Sequence, residues 1–403
     1  MNIAVAQSGG PTCAINASLL GVYRQALKED SIEHVFGSIN GIEGILKDEL
    51  VNLNAVVRTN DDMALLRQTP STVLGSCRYK LPDPEVDIAP YESILNCFER
   101  HGIGAFFYIG GNDSMDTVNK LSKFMASKNK DIKIIGIPKT IDNDLECTDH
   151  TPGFGSAAKY VATTVQEIIR DSSVYSIDSV TIIEVMGRHA GWLTASTCVL
   201  RANDEVAPHL IYLPECEFSV EKFLKDVRAA RQIYKAVIIA VSEGVKLKSS
   251  EADFDPKAGL VDVFGHEQLS GIGKTLENIV FREIGCKVRS IELNVMQRCS
   301  SHMSSMTDIH EAENIAAEAV KTAVAGETGK MMVFRRIHDT PYTVRIETVD
   351  VNEVANKEKK FPKEWINNAG NSVTDEAVNY FLPLIQGEQI IRIRNGVPIH
   401  YHI

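Results

Sequence analysis

The sequence predicts an α/β protein built on mostly parallel sheets. Short apolar runs recur along the chain, the runs are continuous rather than alternating, and they give way to Gly-rich or polar turns. Unbroken Val, Ile, Ala and Phe runs are how strands buried on both faces of a parallel sheet read. Their alternation with helical patterns points to the α/β class. Ile3–Ala6 comes first, passing through Gln7-Ser8-Gly9-Gly10 into a helical pattern that carries Leu19, Leu20 and Val22. Ala105–Ile109 passes through Gly110-Gly111-Asn112-Asp113-Ser114 into a helix running beyond Leu121. Ile132–Ile137 meets Pro138-Lys139-Thr140-Ile141-Asp142-Asn143-Asp144, and Val180–Val185 meets Met186-Gly187-Arg188-His189-Ala190-Gly191. Ala236–Val241 meets Ser242-Glu243-Gly244. Residues 245–275 read as an irregular excursion before a helix around Leu276–Arg282. From about Met331 the pattern becomes alternating and reads as strands with a C-terminal extension. A break near Cys147–Gly155 marks a hinge between two α/β domains.

Composition narrows the function classes. With 403 residues, two or three domains are expected. The 42 Lys+Arg against 53 Asp+Glu give a net charge of -11, which argues against a broad nucleic-acid footprint but not against a local basic pocket. The apolar runs fall far short of the ~20 residues that span a bilayer, and no targeting pattern precedes the first strand. Eight scattered cysteines without a C-x-x-C pair fit reduced thiols in a cytoplasmic protein.

The unusual residues all fall at the carboxyl ends of the expected strands, where open α/β sheets bind ligands. Gly9-Gly10 and Gly110-Gly111 each precede a helix, so free N–H groups and the helix dipole can meet an anion there. A tight strand-to-helix turn explains either pair as well. Neither pair matches Walker A or G-x-G-x-x-G, which counts against a dinucleotide site. The run Lys139–Asp144 crowds a lysine, a hydroxyl and two carboxylates after one strand. Phosphoryl transfer needs a cation for the equatorial oxygens and a carboxylate to accept a hydroxyl proton. Lys139 suits the first task and Asp142 or Asp144 the second, with Asp113 adding a carboxylate nearby. Arg188 sits on a Gly-flanked turn suited to bidentate phosphate binding. His189 alone reads as structural. Glu243, Arg78 and Arg298 are further candidate ligands.

Gly-Gly-Asn-Asp-Ser, Pro-Lys-Thr-Ile-Asp-Asn-Asp, Met-Gly-Arg-His-Ala-Gly-Trp, Ser-Glu-Gly and Met-Gln-Arg occur in the order found in phosphofructokinases. The chain resembles that family over most of residues 1–325. The resemblance implies two Rossmann-like three-layer α/β domains with mostly parallel sheets and an active site in the cleft between them. It implies a donor-phosphate domain of 1–150 plus about 298–350, and a sugar-phosphate domain of 151–297 plus about 351–403. It implies that Asp142 is the base toward the sugar 1-hydroxyl, flanked by Thr140, Ile141 and Asp144. Met186, Gly187 and Arg188 would line the sugar phosphate, Glu243 would accept a sugar hydroxyl, and Arg289 and Arg298 would meet the 6-phosphate. Gly10 and Arg78 would contact the donor phosphates.

Asp113 and Lys139 resemble the pyrophosphate-dependent branch, where ATP-using relatives usually carry glycine and Pro-Gly-Thr. A carboxylate at Asp113 would repel an ATP α-phosphate, and Lys139 would add charge for compact pyrophosphate. The expected reaction is reversible phosphoryl transfer from pyrophosphate to fructose 6-phosphate with Mg2+, in a homodimer or homotetramer. The branch usually has Asp at Asn112, a position tied to Mg2+. Ser179 stands where a neighbouring subunit's arginine is common, and Val295 where relatives often have His or Tyr. Leu20 replaces an effector-site arginine of allosteric ATP enzymes, which implies weak or absent nucleotide regulation. The alternatives are ATP as donor, sedoheptulose 7-phosphate as acceptor, or a non-catalytic sugar-phosphate-binding subunit.

Overall fold

The computed structural model describes residues 1–247 and 271–403. Most of the excursion expected at 245–275 therefore lies outside the described residues. The strands are β1 (Asn2–Gln7), β2 (Val35–Ser38), β3 (Leu50–Asn52), β4 (Ile103–Gly110), β5 (Lys133–Pro138), β6 (Ser179–Val185), β7 (Leu210–Tyr212), β8 (Ala236–Ser242), β9 (Lys287–Glu292), β10 (Lys330–Asp339) and β11 (Tyr342–Asp350). A separate short hairpin is formed by β12 (Ile393–Arg394) and β13 (Val397–Pro398).

The larger sheet has the order β11-β10-β5-β4-β1-β2-β3. Its central strands β10, β5, β4, β1 and β2 run parallel, while β11 and β3 close the edges antiparallel. The smaller sheet, β7-β8-β6-β9, is parallel throughout. The continuous apolar runs behave as expected. Beyond their first residue, β1, β5, β6 and β8 are buried along their whole length, because helices cover both faces. The stretch expected to alternate after Met331 is the β10–β11 hairpin on the outer edge, where Met331–Phe334 are buried and every residue of β11 is at least partly exposed.

Helices Ile15–Ala26, Asn112–Ser127 and Met306–Val324 pack on the larger sheet, and Ile272–Ile284 on the smaller. Leu20 is fully buried on the first of these, so that position is core. Helix Phe154–Ser173 follows the Cys147–Gly155 stretch and joins an aromatic core of Trp192, Phe361, Tyr380 and Phe381 beside the smaller sheet. We propose the two sheets as the centres of two domains, divided near residues 151, 298 and 351. The C-terminal tail departs from the expected division. Gln68 exchanges hydrogen bonds with the Arg392 backbone, and Tyr401 N–H donates to Thr69, so the last residues return to the side of the larger sheet.

Candidate active site

The carboxyl ends of β1, β4 and β5 face those of β6 and β8 across a cleft that encloses about 780 Å³. Among the described residues, six Lys or Arg and five carboxylates line it, whereas Tyr79, Tyr108 and the His189 imidazole are its only ring side chains besides Pro11. Anionic, hydroxylated ligands suit such walls better than an apolar ring.

Its floor is the loop after β5. Asp142 N–H donates to Thr140 Oγ1 at 3.1 Å, which folds the loop back on itself. Asn143 then takes a left-handed conformation and donates its Nδ2 to Tyr380 Oη at 2.9 Å. Asp142 and Asp144 consequently both line the cavity. Burial pushes both carboxyls above the usual range, and Glu243 adds to the effect on Asp142 and Asp142 to that on Asp144. Lys139, only 2% exposed, donates to the Gly10 carbonyl at 2.7 Å. Its burial lowers the ammonium to about 8 against the pull of Asp142. A Cβ on Gly9 would lie 3.4 Å from this ammonium, and one on Gly10 would lie 3.3 Å from the Arg298 guanidinium. The glycine pair thus keeps room for cations.

On the opposite wall, Gly187 has a φ of 138°, open to glycine and strained for other residues. Its N–H donates to Glu243 at 3.3 Å, and Ser242 Oγ donates to the Gly187 carbonyl at 2.6 Å. This ties the turn after β6 to the end of β8 and brings Met186, Arg188 and Glu243 onto one wall. Burial raises the Glu243 carboxyl, while the Gly187 N–H, Arg188 and Arg298 oppose that rise. Gln297 accepts from Met186 N–H at 3.2 Å, so helix Met296–Cys299 delivers Arg298 to the same space.

At the far end, Asp113 lies at the cavity rim and pairs with Lys80 at 3.5 Å. Gly10, Arg78 and Asn112 line the same end. The carboxamide of Asn112 is engaged by protein on both sides. Its Oδ1 accepts from Asn356 N–H at 2.7 Å and its Nδ2 donates to the Lys357 carbonyl.

Of the residues expected from the sequence, Gly10, Arg78, Asn112, Asp113, Lys139, Thr140, Ile141, Asp142, Asp144, Met186, Arg188, Glu243 and Arg298 line one cavity, and Gly187 shapes its wall. Arg289 does not join them. It lies on β9, the edge strand of the smaller sheet, and its nearest acidic partner is Asp171 at 3.8 Å. Ser179 begins β6, at the end remote from the cleft, and Val295 is half exposed. The sequence reading missed Lys80, Asn356, Glu358 and Lys360, and weighed His189 as structural, yet all five line the cavity. Lys357-Glu358-Lys359-Lys360 reads as a solvated charge run, and nothing local signals that it folds back over the cleft.

A pocket of this kind can hold two phosphorylated molecules side by side and move a phosphoryl group between them. The phosphofructokinase family profile matches residues 2–323, and the chain belongs to that family. It is 40% identical to a protein of Xanthomonas campestris over 96% of this chain and 92% of the other. It is 37% identical to a protein of Halomonas elongata, over 98% and 94%. Both are named pyrophosphate–fructose 6-phosphate 1-phosphotransferase. Among solved structures, a pyrophosphate-dependent phosphofructokinase from Marinobacter aquaeolei superposes with a TM-score of 0.87 at 37% identity, covering 99% of this chain and 95% of that one. The two-domain parallel architecture expected from the sequence is thus the family's fold. Among the described residues, no helix is long and apolar enough to cross a membrane.

Proposed function

We propose that the protein transfers a phosphoryl group reversibly between pyrophosphate and the 1-hydroxyl of fructose 6-phosphate. The observation that carries this reading is the cavity floor, where Asp142 and Lys139 converge beside a rim carboxylate, Asp113, in a cleft with few aromatic walls. Asp142 takes the proton of the attacking hydroxyl. Its raised carboxyl is a better match to a proton taken near neutral pH than an ordinary carboxylate. Lys139 and Arg78 meet the donor phosphates, and Arg188 and Arg298 the sugar phosphate, as fixed charges in a partly dry site. Glu243 accepts a sugar hydroxyl, and Thr140 holds the loop's turn. Asp113 lies where a longer donor would place further phosphate charge.

Phosphofructokinases generally use a divalent metal. The crowding of buried carboxylates fits one, because burial and Asp142 raise the cost of charge on Asp144 and a dication would offset it. Mg2+, held by Asp144 and the donor, would neutralise charge on the phosphoryl oxygens. We also infer a homodimer or homotetramer, in which Arg289 on the edge strand β9 would meet the sugar phosphate of a neighbouring copy.

The deciding experiment is steady-state turnover of fructose 6-phosphate with pyrophosphate, with ATP and with no donor. Turnover with pyrophosphate alone is expected. Efficient ATP use with pyrophosphate inert would overturn the donor and leave the acceptor chemistry standing.

A further inference from the structure

Away from the cleft, a thiol, an imidazole and a carboxylate meet at one point. Helix Ala89–Arg100 carries Cys97, and His101 caps its carboxyl end four residues later. That spacing puts the two side chains on one face of the helix. Helix Ile42–Lys47 shares its apolar core and ends at Asp48, which takes a left-handed conformation with a φ of 61°. Cys97 Sγ donates to Asp48 Oδ1 at 3.4 Å, and His101 Nε2 lies 2.6 Å from the same oxygen. The other oxygen, Oδ2, pairs with Arg100. The sulfur, the nitrogen and the carboxylate oxygen all lie within 4.8 Å of one another, and among the described residues no other three His, Cys, Asp or Glu side chains converge in this way. Cys97 is buried, whereas the His101 and Asp48 side chains are 28% and 32% exposed, so the point of convergence opens to solvent on one side. None of the three lines the cleft.

The arrangement is that of a metal site in which protons stand where the ion would. Tetrahedral Zn2+ takes a thiolate sulfur at about 2.3 Å and a nitrogen or carboxylate oxygen at about 2.0–2.2 Å, which sets neighbouring ligand atoms roughly 3–4 Å apart. The sulfur and oxygen already stand at that separation, and the oxygen and nitrogen reach it by a small rotation of two partly exposed side chains. Arg100 holds Oδ2 and leaves Oδ1 to act as a one-oxygen ligand. Burial and the bond to Asp48 push the Cys97 thiol up to about 12, so it stays protonated until an ion with high affinity for sulfur displaces the proton. Mg2+ and Ca2+, which take oxygen ligands, do not suit the set. We propose that Asp48, Cys97 and His101 form a binding site for a thiophilic divalent ion of the Zn2+ class, with water in the fourth position on the exposed side. The thiol proton leaves to solvent as the metal–sulfur bond forms, and the imidazole keeps its proton on Nδ1 so that Nε2 is free to bind. The ion ties helix Ile42–Lys47 to helix Ala89–Arg100 outside the cleft, so it acts on stability rather than on turnover.

The test uses the full-length protein, stripped with a chelator and titrated with Co2+ in the presence of excess Mg2+, which occupies sites built from oxygen alone. Co2+ accepts the same ligands as Zn2+, and its bond to a thiolate shows as an ultraviolet charge-transfer band. One Co2+ per chain with that band is expected, and Zn2+ should displace it. His101→Gln, at a partly exposed position, should weaken Co2+ and Zn2+ binding about 100-fold or more, since loss of an outer partner of a ligand already costs about 10–100-fold. Cys97→Ser should abolish the band. Zn2+ should raise the melting temperature of the wild-type protein and leave that of His101→Gln where it was. If Cys97→Ser does not fold, His101→Gln carries the test by itself. A wild-type protein that shows no thiolate band would mean that the cluster holds protons only, and the proposal would fall. A band that keeps its strength and affinity in the variants would come from another thiol, such as the exposed Cys299, and would overturn it equally.

Discussion

Two buried clusters of charge lie on either side of the loop that follows β5. In the one behind the loop, His150 contacts Asp149 at 2.8 Å and Glu311 at 2.7 Å, and stacks on Phe334 at 4.6 Å between ring centroids. Arg336 closes on Asp149 at 2.9 Å, and Tyr342 Oη donates to Glu311 at 2.8 Å. In the one facing the cleft, Lys139 donates to a backbone carbonyl rather than to a carboxylate, and Asp142, Asp144 and Glu243 border the cavity. Burial disfavours charge in both places, but the outcomes differ. Behind the loop, Glu311 and Asp149 overcome burial and hold His150 up at about 9, and His150 with Arg336 overcomes it to hold Asp149 down at about 2. In the cleft burial prevails: Lys139 falls to about 8, and Asp142 and Asp144 rise.

The difference separates a structural cluster from a functional one. Where each charge meets an opposite charge inside the protein, the charged forms are stable and the cluster braces the fold. Where charges point into a cavity and stay under-compensated, the protein holds them ready for a ligand that completes the pairing. Removing a charge should therefore have opposite consequences in the two clusters.

The largest expected effect is at Asp142. Asp142→Asn should cut turnover roughly 10²–10⁴-fold through loss of the proton acceptor. Thermal stability should hold or rise, because the change removes a poorly compensated buried carboxylate. Steady-state kinetics beside a melting curve checks both halves, and near-normal turnover would remove Asp142 from the base role.

The counterpart is His150→Ala. It leaves Asp149 and Glu311 buried without their shared cation, an effect of roughly 3–5 kcal/mol on unfolding free energy. Denaturant titration measures it. A loss as small as that of a surface ion pair would mean that the cluster is not braced as described.

This contrast was only partly legible in the sequence. The strands, the glycine turns and the Lys139–Asp144 loop declare themselves locally, since apolar runs and clustered polar residues are neighbours along the chain. His150 lay inside a stretch that read as a hinge, its partner Glu311 is remote in sequence, and the cluster is completed by Arg336 on Asp149 and Tyr342 on Glu311. The segment 356–360 was hidden for the same reason. Its charge run reads as solvated surface, and only the path of the C-terminal extension brings it over the cleft. Arg289 is a different case: the resemblance set it near a sugar phosphate, while the fold puts it on an outer strand, outside the cleft of its own chain.

The donor prediction is of intermediate size. Asp113→Gly should improve ATP use relative to pyrophosphate about tenfold. A larger effect would need a desolvated clash, and Asp113 is mostly exposed and already paired with Lys80. Lys139→Gly should lower pyrophosphate turnover more than it helps ATP, because that cation is buried at the cavity floor. The double change should gain the most ATP activity, and non-additively, since both sites flank one donor. A donor ratio that neither change moves would take both residues out of donor selection.

The smallest effect is on the pH dependence of stability, and it isolates the braced cluster. His150 is held at about 9 when folded and would return to about 6.5 when unfolded. Its contribution is therefore complete below about pH 6.5 and lost as pH rises through about 9. Asp149 is held at about 2, so its contribution is present above about pH 4 and lost as pH falls through about 2. The groups bonded to His150 are Asp149 and Glu311, which in turn hold Arg336 and Tyr342, with Lys359 at the Asp149 carbonyl. Lys139 and Lys359 are both lowered to about 8 and work in the opposite sense over the alkaline range, since losing a proton relieves a buried cation. The wild-type slope is a difference between these contributions, so the informative comparison is with His150→Gln, which stays neutral throughout. The gap in Tm between the two proteins should be widest near about pH 6 and should shrink by several degrees toward about pH 10. A gap that stays constant over that range would show that His150 is not held as a cation, and the distinction between the two clusters would then rest on the cleft alone.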